Sequence, residues 1–124
     1  MINNYLGTDY QTFIATSRYA RWLDDKKRRE NWSETVARYM ERVIMPKIDD
    51  AKALDQIETA ILDLEVMPSM RAMMSAGLAL DRDNTAGFNC SYMPVDDLKS
   101  FDEAMFILLC GTGVGMNIVS NKNK

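Results

Sequence analysis

The segment Phe101-Asp-Glu-Ala-Met-Phe-Ile-Leu-Leu109, wound as a helix, is apolar on nearly all sides. Such a helix has to be buried on nearly all sides, which few small folds can provide. It is predicted to open at a capping box made by Ser100 and Glu103 and to run through Cys110. Residues 88–95 precede it and read as a strand, with Phe, Cys, Tyr and Val in the run and Pro94 near its end. Gly111 follows as a left-handed cap, and Val114 to Val119 reads as a second strand. One strand-helix-strand unit makes a two-stranded parallel sheet, which is not stable alone. Parallel sheets are normally covered on both faces. The expectation is therefore an α/β fold with more sheet after Ser120, where the sequence has only Asn-Lys-Asn-Lys.

The first half has a different character. Trp32, Val36, Tyr39, Met40, Val43 and Ile44 recur at spacings of three and four, the pattern of one helix face. Asn31 with Glu34 resembles a capping box, Ser33 is a competing cap, and Pro46 ends or bends the helix. A second stripe of Leu54, Ile57, Ile61 and Leu64 predicts a helix from about Asp50 to Glu65, closed by Pro68. Phe13 to Leu23 reads as partly helical. Met70 to Ala76 reads as a short helix closed by Gly77, with a polar loop at Asp81-Arg-Asp-Asn84. The domain reading is a helical region over 1–67 and an α/β region over 68–124.

Composition removes several chemistries. With no histidine, a Ser-His or Cys-His nucleophile pair is impossible. With two cysteines, a four-ligand Cys/His zinc site is not available either. The net charge of -3 argues against a nucleic-acid-coating surface. The one dense basic run, Lys26-Lys-Arg-Arg29, lies between Asp24-Asp25 and Glu30 and reads as a solvated, salt-bridged helix face. No apolar run approaches the roughly 20 residues that span a bilayer. The N-terminus lacks the basic and apolar blocks of a secretory signal. A cytoplasmic location with reduced thiols is expected, although the spacing of Cys90 and Cys110 leaves a long-range disulfide open.

Candidate chemistry gathers around Cys90. A cysteine on a strand is commonly just a small hydrophobe, but Asn89 and Ser91 flank it with hydrogen-bonding groups. Cys110, at the end of the apolar helix, keeps the inert reading. Gly111-Thr-Gly-Val-Gly115 is a weak phosphate signal, since it runs from helix to strand, the reverse of the dinucleotide fingerprint. Its glycines read better as permitting close approach of backbone to a ligand or strand. Asp96-Asp97, just before a helix, read as caps or as an acid/base pair.

These residues also carry a family resemblance. Three stretches, Met67-Pro-Ser-Met-Arg-Ala-Met-Met-Ser-Ala-Gly77, Asn84-Thr-Ala-Gly-Phe-Asn-Cys-Ser-Tyr-Met-Pro-Val-Asp-Asp97 and Phe101-Asp-Glu-Ala … Leu109-Cys-Gly-Thr-Gly-Val-Gly115, look like the N-terminal part of a ribonucleotide reductase. The match is strongest to the adenosylcobalamin-dependent class (class II) found in bacteria and many bacteriophages. Tyr19 through Tyr39 is similar to the helical segment that opens those enzymes. The resemblance runs from about residue 10 to 119, with long collinear motifs.

The resemblance implies a helical region followed by the first strand-helix-strand of a ten-stranded α/β barrel. It implies an oxidoreductase of deoxyribonucleotide biosynthesis, acting on ribonucleoside diphosphates or triphosphates by thiyl-radical chemistry. Cys90 matches one cysteine of the reducing pair. Asn89, Cys90, Gly113 and, in the preceding turn, Ser69 match substrate contacts. Asp97 falls where an allosteric deoxynucleotide binds, but the segment from Asp97 to Gly111 is shorter than in dimeric relatives, which points toward a monomeric subtype. On this resemblance, no separate activity-regulating domain is expected before Tyr10. Adenosylcobalamin would be held mainly by segments beyond Ser120. The implied partners are the remainder of the reductase, the ribonucleotide, and a thioredoxin-like reductant acting through C-terminal cysteines outside this sequence. Neither nucleic acid nor membrane is among them, and a phage-encoded chain would act in the host cytoplasm. Alone, the chain would be catalytically incompetent. Two other readings stay open, a stand-alone nucleotide-binding or regulatory module and a helical interaction protein.

Overall fold

A computed structural model describes residues 5–118. The chain divides between Gly77 and Leu78 into two compact units. The sequence-based boundary at 67/68 falls one helix earlier, because α4 (Met70–Ser75) packs in the first unit against α2 (Trp32–Tyr39).

In the first unit, α1 (Asp9–Ile14) is capped by the Thr8 hydroxyl and continues as a π-helical turn, Ala15–Tyr19. A short antiparallel hairpin follows, with β1 (Trp22–Leu23) paired to β2 (Arg28–Arg29). The segment from Phe13 to Leu23 is thus helical in part, as far as Tyr19, with Trp22 and Leu23 in the strand. One expectation is corrected here: the basic run is no helix face but the hairpin's tip and second strand, with Lys27 in the left-handed region at φ 50°. Its salt bridges are real. Lys26 Nζ lies 2.7 Å from Glu34 Oε1, and Arg28 donates to both Glu34 oxygens at 2.7 and 2.9 Å.

The capping box at Asn31 and Glu34 is present, with both bonds made. α2 then relaxes into a π-helical turn over Met40–Ile44 and a 3-10 turn over Met45–Lys47 that contains Pro46. α3 (Ala51–Leu62) starts at an Asp50 cap. It ends before Glu65, at Asp63 and the left-handed Leu64 (φ 63°), rather than at Pro68. Val36, Met40, Ile61 and Met73 are essentially inaccessible and form the centre of this unit's core. Trp32 adds a polar tie, its Nε1–H donating to the Leu62 carbonyl at 3.2 Å.

The second unit opens with α5 (Leu78–Arg82) and a 3-10 turn, Asn84–Gly87, capped by Asp83. The polar loop expected at 81–84 is thus largely helical. β3 (Cys90–Val95) and β4 (Gly113–Ile118) pair in parallel, in register from Cys90–Gly113 to Val95–Ile118, with α6 (Lys99–Leu109) between them in sequence. Val119, the expected end of the second strand, and the residues after Ser120 lie outside the described residues.

Two details of α6 differ from expectation. Ser100 lies inside the helix rather than at its cap, and the Asp97 carboxylate takes the Ser100 N–H at 3.0 Å. An aspartate two residues before the first turn reaches the unpaired N–H groups that a serine within the turn cannot. The helix is also far from buried on all sides. Among its residues only Ser100 and Ala104 are buried, and Leu109 is 80% exposed. The described residues of this unit supply one two-stranded sheet, which covers a single side of α6. Phe101, Met105, Phe106 and Leu108 stay about half accessible. Fully burying a side chain of that size is worth about 1.5–3 kcal/mol. The described residues thus form a mixed structure of helices and small sheets, with no helix long and apolar enough to cross a membrane.

Candidate functional site

Strand alternation divides the second unit's sheet into two faces. Ser91, Met93 and Val95 are half-buried, and Met93 lines a groove with Asp102, Glu103, Phe106 and Ile107 of α6. That is the helix-covered face. Cys90, Tyr92 and Pro94 point to the other, which is exposed. In parallel register their neighbours on that face are Gly113, Gly115 and Asn117.

Cys90 is a free, exposed thiol at the first position of β3. A Cβ placed on Gly113 would lie 3.9 Å from the Cys90 sulfur and 3.4 Å from the Asn89 carbonyl oxygen. Sulfur and bare glycine backbone therefore share one face of the sheet. The Gly113 N–H donates to the Asn89 carbonyl at 3.0 Å, and the Gly113 carbonyl accepts from the Ser91 hydroxyl at 3.1 Å. Gly113 is thus tied to the residues on both sides of Cys90. Further along the face, a Cβ on Gly115 would come within 3.3 Å of the Tyr92 ring.

The structure brings Asn89, Cys90 and Gly113 together and leaves the other candidates in different settings. Ser69 caps α4 in the first unit, its hydroxyl accepting from the Ala72 N–H at 3.3 Å. Asp97 caps α6, and with Asp96 it also accepts from the Ser100 hydroxyl, at 3.4 and 3.2 Å. The Asp96-Asp97 pair therefore has the geometry of a cap. Cys110, half-buried at the end of α6, is also a free thiol, so no disulfide joins it to Cys90.

Sequence reasoning passed over Thr112 and Thr85. Thr112 is buried, and its hydroxyl donates to the Thr85 carbonyl at 2.6 Å. A signal was available, since a β-branched hydroxyl residue between two glycines must find a partner if it is buried.

Nothing in the described residues forms a metal site. The chain has no histidine, and among the described residues no three ligating side chains gather. The groove beside α6, about 470 Å³, is open and lined mainly by apolar side chains.

No protein-family model and no solved structure matches the chain. Two curated proteins do. Over 23 residues, 18% of this chain and 3% of the relative, it is 74% identical to the adenosylcobalamin-dependent ribonucleoside-triphosphate reductase of Lactobacillus gasseri. Over 83 residues, 57% of this chain and 11% of the relative, it is 32% identical to the protein of the same name from Lactobacillus helveticus. The chain thus spans no more than about a tenth of the length of these relatives. It is similar, over part of its length, to adenosylcobalamin-dependent ribonucleoside-triphosphate reductases.

Proposed function

We propose that this chain forms the N-terminal part of a ribonucleotide reductase, in which Cys90 is one thiol of the pair that reduces the ribose. The observation that carries the reading is the exposed Cys90 sulfur beside the side-chain-free backbone of Gly113, on the face opposite α6. A sugar approaching that face meets a thiol with no side chain in the way at its neighbour. A strand also holds a reacting group more rigidly than a loop does.

The chemistry assigned to the thiol balances. The C2′–O bond of the ribonucleotide breaks and a C2′–H bond forms. Two thiols each give up one electron and one proton, join as a disulfide, and the hydroxyl leaves as water. The second thiol comes from the polypeptide that completes the site, because Cys110 lies at the end of α6 and not on the sheet. Adenosylcobalamin, the cofactor in the name of both relatives, would act from that same polypeptide. The half-exposed apolar residues of α6 and the two-stranded sheet are surfaces that additional strands and helices of an α/β barrel would cover. Asn89 and the Gly113 backbone would contact substrate. For Ser69 and Asp97 the observed helix caps are sufficient roles.

The test is co-expression with a polypeptide corresponding to the remainder of a relative reductase. Conversion of ribonucleoside triphosphate to its deoxy form is then followed with a dithiol reductant, with and without adenosylcobalamin. Turnover is expected only when both polypeptides and the cofactor are present. Cys90→Ser should abolish multiple turnover and spare substrate binding. Wild-type turnover by Cys90→Ser over many cycles would overturn the assignment.

A further inference from the structure

We propose that Thr112 is a positioning residue that holds the Cys90 thiol at its place beside Gly113. The chemical role of the thiol follows the function proposed above, while the positioning itself is a property of this chain. Among the described residues, the largest fully buried side chains are Met40, Met73, Val36 and Thr112. The first three belong to the first unit's core. In the second unit the corresponding place is taken by a polar side chain, 1% exposed.

The hydrogen bonds around Thr112 explain why it is there. Its hydroxyl donates to the Thr85 carbonyl in the 3-10 turn at 2.6 Å, and its N–H donates to the Ile107 carbonyl of α6 at 3.2 Å. The next residue, Gly113, bonds to Asn89 on one side of Cys90 and to Ser91 on the other. The chain from Thr85 to Asn89, closed by Gly113 and Thr112, therefore forms a ring. Cys90 leaves that ring as the first residue of β3. The Thr112 bond is the ring's one side-chain closure, and its donor is buried while the Thr85 end is half-buried, so it is partly shielded from water, which strengthens a hydrogen bond and makes its loss more costly.

The residue type suits the task. Threonine is stiff at χ1, so its hydroxyl is aimed rather than searching among rotamers. It follows Gly111, whose φ of 92° turns the chain out of the helix, and it precedes the glycine that faces the sulfur. Cutting the ring at Thr112 leaves the Thr85 carbonyl with the Phe88 N–H, at 3.2 Å, but without its tie to the turn before β4. The start of β3 is then free to shift against β4. A reacting group displaced by about 1 Å loses on the order of a hundredfold in rate.

Thr112→Val keeps the shape and removes the donor, whereas Thr112→Ser keeps the donor and removes the methyl. In the 124-residue chain, amide hydrogen exchange at Gly113 reports the ring directly. Thr112→Val should speed that exchange about tenfold, the effect of losing one buried hydrogen bond. The Met40 amide in the first unit should exchange unchanged, and Thr112→Ser should restore Gly113 to near its wild-type rate. Unchanged Gly113 exchange in Thr112→Val, or an unprotected Gly113 amide in the wild type, overturns the proposal whatever the fate of the reductase reading. In the co-expressed enzyme, Thr112→Val should lower kcat with KM retained, and Thr112→Ser should recover it. Faster exchange with kcat unchanged would mean that Thr112 orders the strand without positioning the thiol, and would also overturn it. Cys90→Ser reports separately on the reductase reading itself.

Discussion

The carboxylate of Glu30 and the guanidinium of Arg38 meet in two parallel hydrogen bonds, Nε to Oε1 at 2.8 Å and Nη2 to Oε2 at 2.9 Å. The remaining Arg38 nitrogen, Nη1, donates to the carbonyls of Met73 and Ala76, both at 2.8 Å. Glu30 Oε2 also accepts from the Arg21 N–H and the Thr35 hydroxyl. One ion pair, its glutamate buried and its arginine half-buried, thus joins the hairpin, α2 and the end of α4. Removing one partner of a buried pair leaves the other charge uncompensated, at a cost of about 3–5 kcal/mol. Arg38→Met, which keeps much of the stem and removes the charge, should destabilise the first unit by that amount. Urea unfolding followed by tryptophan fluorescence would show it, and a loss below about 1 kcal/mol would mean that the clamp is not stabilising.

The same carboxylate sets an acid limit. Burial pushes the Glu30 carboxyl up, but the Arg38 guanidinium, the Arg21 N–H and the Thr35 hydroxyl together outweigh it and hold it below its ordinary 4.5. Glu34 is held far below the same value, chiefly by hydrogen bonding to Arg28, against a smaller effect of burial and with help from Lys26 and the Asn31 N–H. Both groups are depressed in the folded state, so below about pH 4.5 the unfolded chain binds more protons than the folded one. Their contribution is complete above the ordinary value and drains away as pH falls toward the folded one. The urea midpoint of the first unit should therefore be insensitive to these groups above about pH 5 and decline below it. In Glu34→Gln the decline should be shallower. An equally steep decline in that variant would show that Glu34 carries none of it.

What the sequence made legible follows from the range of the interactions involved. The cap at Asn31, the stripe through Val36 and Met40, the turns at Gly77 and Gly111, and the strand containing Cys90 are local patterns, and all are present. The hairpin at Trp22–Arg29 was missed because its strands are two residues long, too short for any period to emerge. Its register is held from outside, by Glu34 gripping Lys26 and Arg28 and by Arg29 donating to the Ala20 carbonyl at 2.8 Å. Serine three residues before glutamate fits the cap pattern at Ser100, but the helix starts earlier, so that Asp97 takes the N–H of Ser100 itself. At the candidate site the cysteine and the glycine loop could be read, and their common face follows from parallel pairing. The Thr112–Thr85 bond spans 27 residues and no periodicity encodes it.

Gly77 isolates a backbone effect. It has φ 102°, and a Cβ placed there would meet nothing within 4 Å. Any loss on substitution is therefore conformational rather than steric crowding by neighbours. Gly77→Ala should cost about 1–2 kcal/mol, the penalty of a left-handed L-residue. Gly77→Asn should cost less, because asparagine tolerates that region. Equal losses in the two variants, measured by urea unfolding, would place the cause outside the backbone.

Gly113 gives the opposite case, in which the fold should tolerate a side chain and the site should not. Its φ is not positive, and an added Cβ would stand at ordinary contact distance, 3.4 Å from the Asn89 oxygen and 3.9 Å from the Cys90 sulfur. Alanine also loses less conformational freedom than glycine when fixed in a strand, so Gly113→Ala should be within about 1 kcal/mol of wild type in stability. The new methyl nevertheless occupies the space from which a reagent or a sugar reaches the sulfur. In a Cys110→Ser background, where Cys90 is the one thiol, Gly113→Ala should slow alkylation by iodoacetamide several-fold. Gly115→Ala is the control on the same face, since its methyl meets the Tyr92 ring at 3.3 Å and not the thiol. It should strain the ring locally and leave Cys90 alkylation unchanged. If both variants slowed the thiol equally, the glycine opposite Cys90 would have no special part in keeping its approach open.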